Sequence, residues 1–106
     1  MTDRPAYVKN APYDLPQRVV RDISAFAEAR GVEKVILFGS RARKDNGERS
    51  DIDIAVRGGD FDGFYFDIKE KAHTLLMFDI VDLDSGVSGE LEKEISRDGV
   101  VIYEKA

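Results

Sequence analysis

Asp51 and Asp53 flank a single isoleucine, and a Gly39-Ser40 pair stands one polar spacer upstream of them. In an extended strand alternate side chains share a face. The two carboxylates would therefore point together, about 6 to 7 Å apart, while Ile52, Ile54 and Val56 point into a core. That spacing suits divalent cations. Two such ions about 3.5 to 4 Å apart can hold the attacking and the leaving oxygens of an in-line displacement at phosphorus. The run Val35 to Phe38 reads as a short buried strand that Gly39-Ser40 breaks into a tight turn, where backbone amides and a hydroxyl can face a polyphosphate. Each piece alone has an ordinary explanation: Gly-Ser after a strand is usually a turn, and Asp-x-Asp more often lines a solvated strand face.

A third carboxylate gives the pattern its weight. The run Met77 to Asp84, MFDIVDLD, is expected to form another strand, with Asp79 embedded between apolar residues, where a charge is costly unless paired or coordinated. Asp82 lies three residues on and so faces the opposite side, which makes Asp79 the candidate. The spacer Arg41 to Ser50, RARKDNGERS, carries an Asn46-Gly47 turn signal, and its first residues are expected to continue as a helix from Ser40. Arg41, Arg43 and Lys44 are candidates to neutralise a triphosphate or a leaving pyrophosphate, against the alternative of solvated or internally paired side chains. Arg41 and Arg43 join Gly39 and Ser40 as nucleotide-binding candidates, although Arg43 is the cation expected to be structural. His73, alone among polar residues, reads as a bystander.

These residues need a scaffold of alternating helices and strands. Residues 1–13 are polar and proline-punctuated and read as a loosely held arm, and residues 14–106 as a single domain. A first helix is expected from about Leu15 to Arg30, with Asp14 as N-cap, a stripe of Leu15, Val19, Ile23 and Phe26 or Ala27, and Gly31 as the stop. A second, about Phe61 to Leu76, would turn Phe64, Ile68, Ala72 and Leu75 to the core. A short third, about Gly89 to Arg97, contributes Leu91 and Ile95 and leads to a last strand, Val100 to Tyr103. This order indicates an α/β (α+β) domain with a small mixed sheet, helices covering one face and the carboxylate face open.

Composition narrows the function. At 106 residues the chain can bury roughly 60 to 70% of its unfolded surface but has no room for a second, substrate-binding domain, so another molecule must present the acceptor. With 21 Asp and Glu against 16 Lys and Arg, the net charge is −5, a poor surface for gripping nucleic acid without sequence preference. No cysteine is present, no apolar run is long enough to span a membrane, and no cleavable leader is visible; a cytoplasmic protein is expected. No Walker Gly-x-x-x-x-Gly-Lys occurs.

The pattern of Gly39, Ser40, Asp51, Asp53 and Asp79 resembles that of the minimal nucleotidyltransferases of the DNA polymerase beta-like superfamily, over about Asp14 to Tyr103. The ending LEKEISRDGVVIY is similar to short prokaryotic members that work beside a separate helical partner of the HEPN (higher eukaryotes and prokaryotes nucleotide-binding) type. Lys44 departs from the pattern, because the family often has Gly after the second arginine. The resemblance implies a polymerase beta palm-like fold, ATP or another nucleoside triphosphate as substrate, and two Mg²⁺ held by catalytic Asp51, Asp53 and Asp79. It further implies AMP transfer to a side-chain hydroxyl of a HEPN-type toxin, with this chain as antitoxin; an oligomer is compatible with that role. Two alternatives stand beside it. One is transfer to a small molecule such as an aminoglycoside, whose relatives carry an extra helical domain, and the other is a non-catalytic module that masks its partner stoichiometrically.

Overall fold

A computed structural model describes residues 13–106. Of the N-terminal arm read from residues 1–13, only Tyr13 falls within them, and it packs against the core. Helix α1, Gln17–Ala29, buries Val19, Ile23 and Ala27, each four residues from the last, so that one stripe faces inward. Its N-cap is Pro16, not Asp14 as expected. Asp14 is drawn away by the later loop: its N–H donates to Arg41 O at 2.9 Å and its carboxylate accepts from Asn46 Nδ2 at 3.0 Å. Proline suits the start, where an N–H would have no helical partner. After Arg30 the chain reverses through Gly31 at φ 70°.

Strand β1, Lys34–Phe38, leads into the short helix α2, Ser40–Arg43, and strand β2 follows as Ile52–Arg57. Helix α3, Phe61–Lys71, starts on Asp60, whose side chain accepts from Gly63 N. It ends before the Leu76 expected from the sequence. Ala72 is already extended, and His73 is tied to α1: its N–H donates to Asp22 Oδ2 at 2.7 Å while its carbonyl accepts from Arg18 Nε at 2.9 Å. Leu75, expected in the core, is therefore fully exposed. Strand β3, Phe78–Asp82, passes through a 3-10 turn, Leu83–Ser85, to helix α4, Gly89–Asp98, capped by Ser88, and strand β4, Val100–Glu104, closes the fold.

The four strands lie in the order β3-β2-β1-β4, with β1 antiparallel to both β2 and β4 and β2 parallel to β3. A parallel pair needs a crossover, and α3 provides it. On one face Val35, Leu37, Ile52, Ile54, Val56 and Phe78 meet the stripe of α1 together with Phe64 and Ile68 of α3. The opposite face carries a smaller cluster, Phe38 and Ala55 against Ile95 of α4. Two helices thus cover the main core face, and α4 takes part of the other, leaving its carboxylate end open.

Phe64 is fully buried, so Phe64→Ala should cost about 3 to 5 kcal/mol, read from urea unfolding. Phe66→Ala, an exposed neighbour on the same helix, should cost under about 0.5 kcal/mol.

Candidate active site

The β1–β2 register pairs Phe38 with Asp53, and the β2–β3 register pairs Asp53 with Asp79. Alternation places all three on the face opposite Ile52 and Ile54, in one row across the sheet. The next row is Ile36, Ala55 and Val81, an apolar seat on which α4 rests. Asp82 falls on the opposite face from Asp79 and serves the chain instead, accepting from Asp84 N at 3.0 Å. Asp51 immediately precedes β2 and is exposed, as is Asp79, whereas Asp53 is half-buried.

Gly39 follows β1 with φ 77° and ψ −157°, a conformation that side chains rarely adopt. A Cβ built there would fall on Asp53 Oδ2 and lie 3.1 Å from its Cγ. The missing methyl is what lets the carboxylate rest on the turn. Ser40 opens α2, and among the described residues its hydroxyl has no hydrogen-bond partner in the protein.

Burial, and then the charges of Asp79, Asp51 and Glu94, push the Asp53 carboxyl up to about 6, with Arg43 opposing them. The cluster is therefore short of positive charge. Among the described residues, though, no three His, Cys, Asp or Glu side chains are gathered into a ready-made metal cage. The apolar groove along α1 and β4, lined by Tyr13, Leu15, Val20 and Tyr103 among others, includes none of Asp51, Asp53 and Asp79.

The cationic loop divides its labour in a way the sequence did not reveal. Arg41, expected on the nucleotide, is only 3% exposed and donates to three backbone carbonyls: Ser50 O at 3.0 Å, Asp14 O at 3.1 Å and Glu48 O at 3.0 Å. Its guanidinium is the clasp that holds the spacer and the peptide entering Asp51. Arg43 is ion-paired to Asp45 and Asp98, in keeping with the structural part expected of it, yet its charge still reaches Asp53. Lys44 sits in the left-handed region at φ 68°. That is the position where the related pattern often has Gly, which adopts it without strain. Glu94 and Asp98 were missed altogether. The apolar pair Leu91 and Ile95 gave the signal, because positions 94 and 98 flank the stripe that α4 turns to the sheet.

The family model for polymerase beta nucleotidyltransferases matches residues 22–106, and the chain belongs to that family. Its fold is shared with solved structures. One is described as a toxin–antitoxin with AMP-PNP, with a TM-score of 0.64 and 23% identity, over 81% of this chain and 73% of that one. Two mutant forms of the toxin–antitoxin MntA-HpeT follow. One has a TM-score of 0.63 and 21% identity over 81% of this chain and 73% of that one, and the other 0.62 and 22% over 87% and 75%. At such identities the likeness is one of fold. No curated protein matches the sequence. Among the described residues no helix is long and apolar enough to cross a membrane.

An acid whose folded pKa is raised stabilises the fold below its ordinary value of 3.8, and that contribution is lost as pH climbs through about 6. Without divalent cations, Asp53→Asn should therefore raise stability at pH 7.5 by about 1 kcal/mol after solvent screening, and by almost nothing at pH 3.5. Thermal unfolding at the two pH values checks this. Lys44→Gly should stabilise the chain by about 1 kcal/mol in the same assay by relieving the left-handed backbone.

Proposed function

We propose that this chain is a metal-dependent nucleotidyltransferase that moves AMP from ATP to a hydroxyl on a separately encoded helical protein of the HEPN type, as the antitoxin of a pair. The observation that carries this is the register pairing of Asp53 with Asp79 beside the Gly39 turn, in a chain of the polymerase beta nucleotidyltransferase family. The structural neighbours described as toxin–antitoxin complexes, one of them with AMP-PNP, support the partner and the nucleotide.

The residues present fit a divalent cation. Hard carboxylate oxygens are the usual ligands of Mg²⁺, and the raised Asp53 pKa marks negative charge awaiting compensation. Held by Asp51, Asp53 and Asp79, two Mg²⁺ would supply countercharge to the triphosphate and acidify the acceptor hydroxyl. Ser40 donates its hydroxyl to a phosphate oxygen, and Gly39 lets the phosphates approach the backbone. The acceptor oxygen forms a bond to the α-phosphorus as the bond to the pyrophosphate oxygen breaks. Its proton goes to Asp79, which stands exposed at the rim, or to water. The acidic surface favours a protein acceptor over a nucleic-acid backbone.

Incubation with a separately encoded helical partner of the HEPN type, ATP and Mg²⁺ should add the mass of AMP to that protein. Asp53→Asn should abolish the addition, and Asp79→Asn should slow it about a thousandfold, some 4 kcal/mol of barrier, while Asp82→Asn leaves it near wild type. Mass spectrometry over a time course reads all three. A partner silenced with no change of mass would instead make the chain a stoichiometric binder.

A further inference from the structure

Helix α4 brings an ion-pair chain to the edge of the site that the reaction described above leaves unused. Arg43 closes α2, and its backbone N–H bonds Gly39 O at 3.1 Å, so its side chain departs one turn from the glycine that abuts Asp53. Its Nε donates to Asp45 Oδ2 and its Nη1 to Asp98 Oδ2, each at 3.0 Å. Among the described residues Nη2 has no partner, and the side chain is 39% exposed.

The two carboxylates that hold Arg43 differ in kind. Asp45 is 60% exposed, an outer tether, whereas the Asp98 side chain is 8% exposed. Asp98 is gripped from a second side by Arg97, with Nε on Oδ1 at 3.0 Å and Nη2 on Oδ2 at 2.9 Å. One turn earlier Ile95 anchors the helix on Phe38 and Ala55, the neighbours of Gly39 and Asp53 along the two strands. A carboxylate fixed in this way is a rigid support for a guanidinium. Arg97 also keeps Asp98 compensated when the charge of Arg43 is shared with another anion.

We infer that Asp98 is a positioning residue: it aims Arg43 so that the free Nη2 meets a phosphate oxygen of a nucleotide seated over Gly39 and Ser40. The inference rests on the nucleotidyl-transfer reading. A guanidinium held on two carboxylates by Nε and Nη1 has lost the freedom of its long side chain and still offers donors, so little ordering remains to be done when a phosphate arrives. The charge of Arg43 already acts on Asp53, which places it within electrostatic reach of the carboxylate row.

A double-mutant cycle on binding tests this in the full chain. In calorimetric titration with Mg²⁺-ATP, Asp98→Asn should weaken binding about tenfold. The same change made on an Arg43→Ala background should add no further loss, and Asp98→Glu should recover part of the affinity. Arg97→Ala, which loosens the support under Asp98, should weaken binding less than Asp98→Asn does and should add no further loss on the Arg43→Ala background. Equal losses from Asp98→Asn in both backgrounds, or a lower Tm with unchanged affinity, overturn the positioning role and leave Asp98 as a helix clasp. A wild-type chain that binds no Mg²⁺-ATP overturns the nucleotidyl-transfer reading together with this one, whereas tight wild-type binding that Asp98→Asn does not affect overturns this proposal alone.

Discussion

The Asp53 carboxylate lies where a side chain at position 39 would have to begin, and much of the site follows from that apposition. Only a residue without a Cβ can follow Phe38 with this backbone and leave room for the acid. The register is held from the other side of the sheet. A slip of one residue between β1 and β2 would turn Asp53 into the core and expose Ile54, which is fully buried against α1 and α3. The apolar face therefore fixes the polar one. The penalty is partial burial of Asp53 beside other acids, which pushes its carboxyl up to about 6.

The short helix after Gly39 shows how position outweighs residue type. Arg41 and Arg43 stand two apart, so their side chains leave a helical turn in different directions. Arg41 goes inward to three carbonyls from Asp14, Glu48 and Ser50, tying the segment before α1 to the loop before β2. Arg43 goes outward to the carboxylates of Asp45 and Asp98. Without Arg41 three carbonyls would lose their donor and the peptide leading into Asp51 its anchor.

Local pattern in the sequence was enough for the parts set by alternation and by turn chemistry. The period of two assigns Ile52, Ile54 and Val56 to the core and separates Asp79 from Asp82, and the strand-ending glycine shows where the chain must turn left-handed. What it misses depends on partners distant in the chain. Asp14 looks like a helix cap until Asn46 and Arg41, brought in by the fold, compete for it. Leu75 continues the helical stripe on paper, but contacts from Asp22 and Arg18 straighten the backbone at His73 before the stripe can reach it. Glu94 and Asp98 matter only because α4 crosses back over the strand that carries Phe38.

That crossing divides one sheet face between two tasks. The row Ile36, Ala55 and Val81 gives α4 an apolar seat, while the row Phe38, Asp53 and Asp79 runs out from beneath it toward solvent. The helix closes one flank of the acids and adds Glu94 to them, and the β3 side stays open, with Asp79 exposed at the rim. In the proposed reaction water must be kept from the phosphorus, and among the described residues no element lies over the carboxylates to do it. In that reaction an acceptor docked on the open side would form the remaining wall, and transfer would begin only when the partner covers the site.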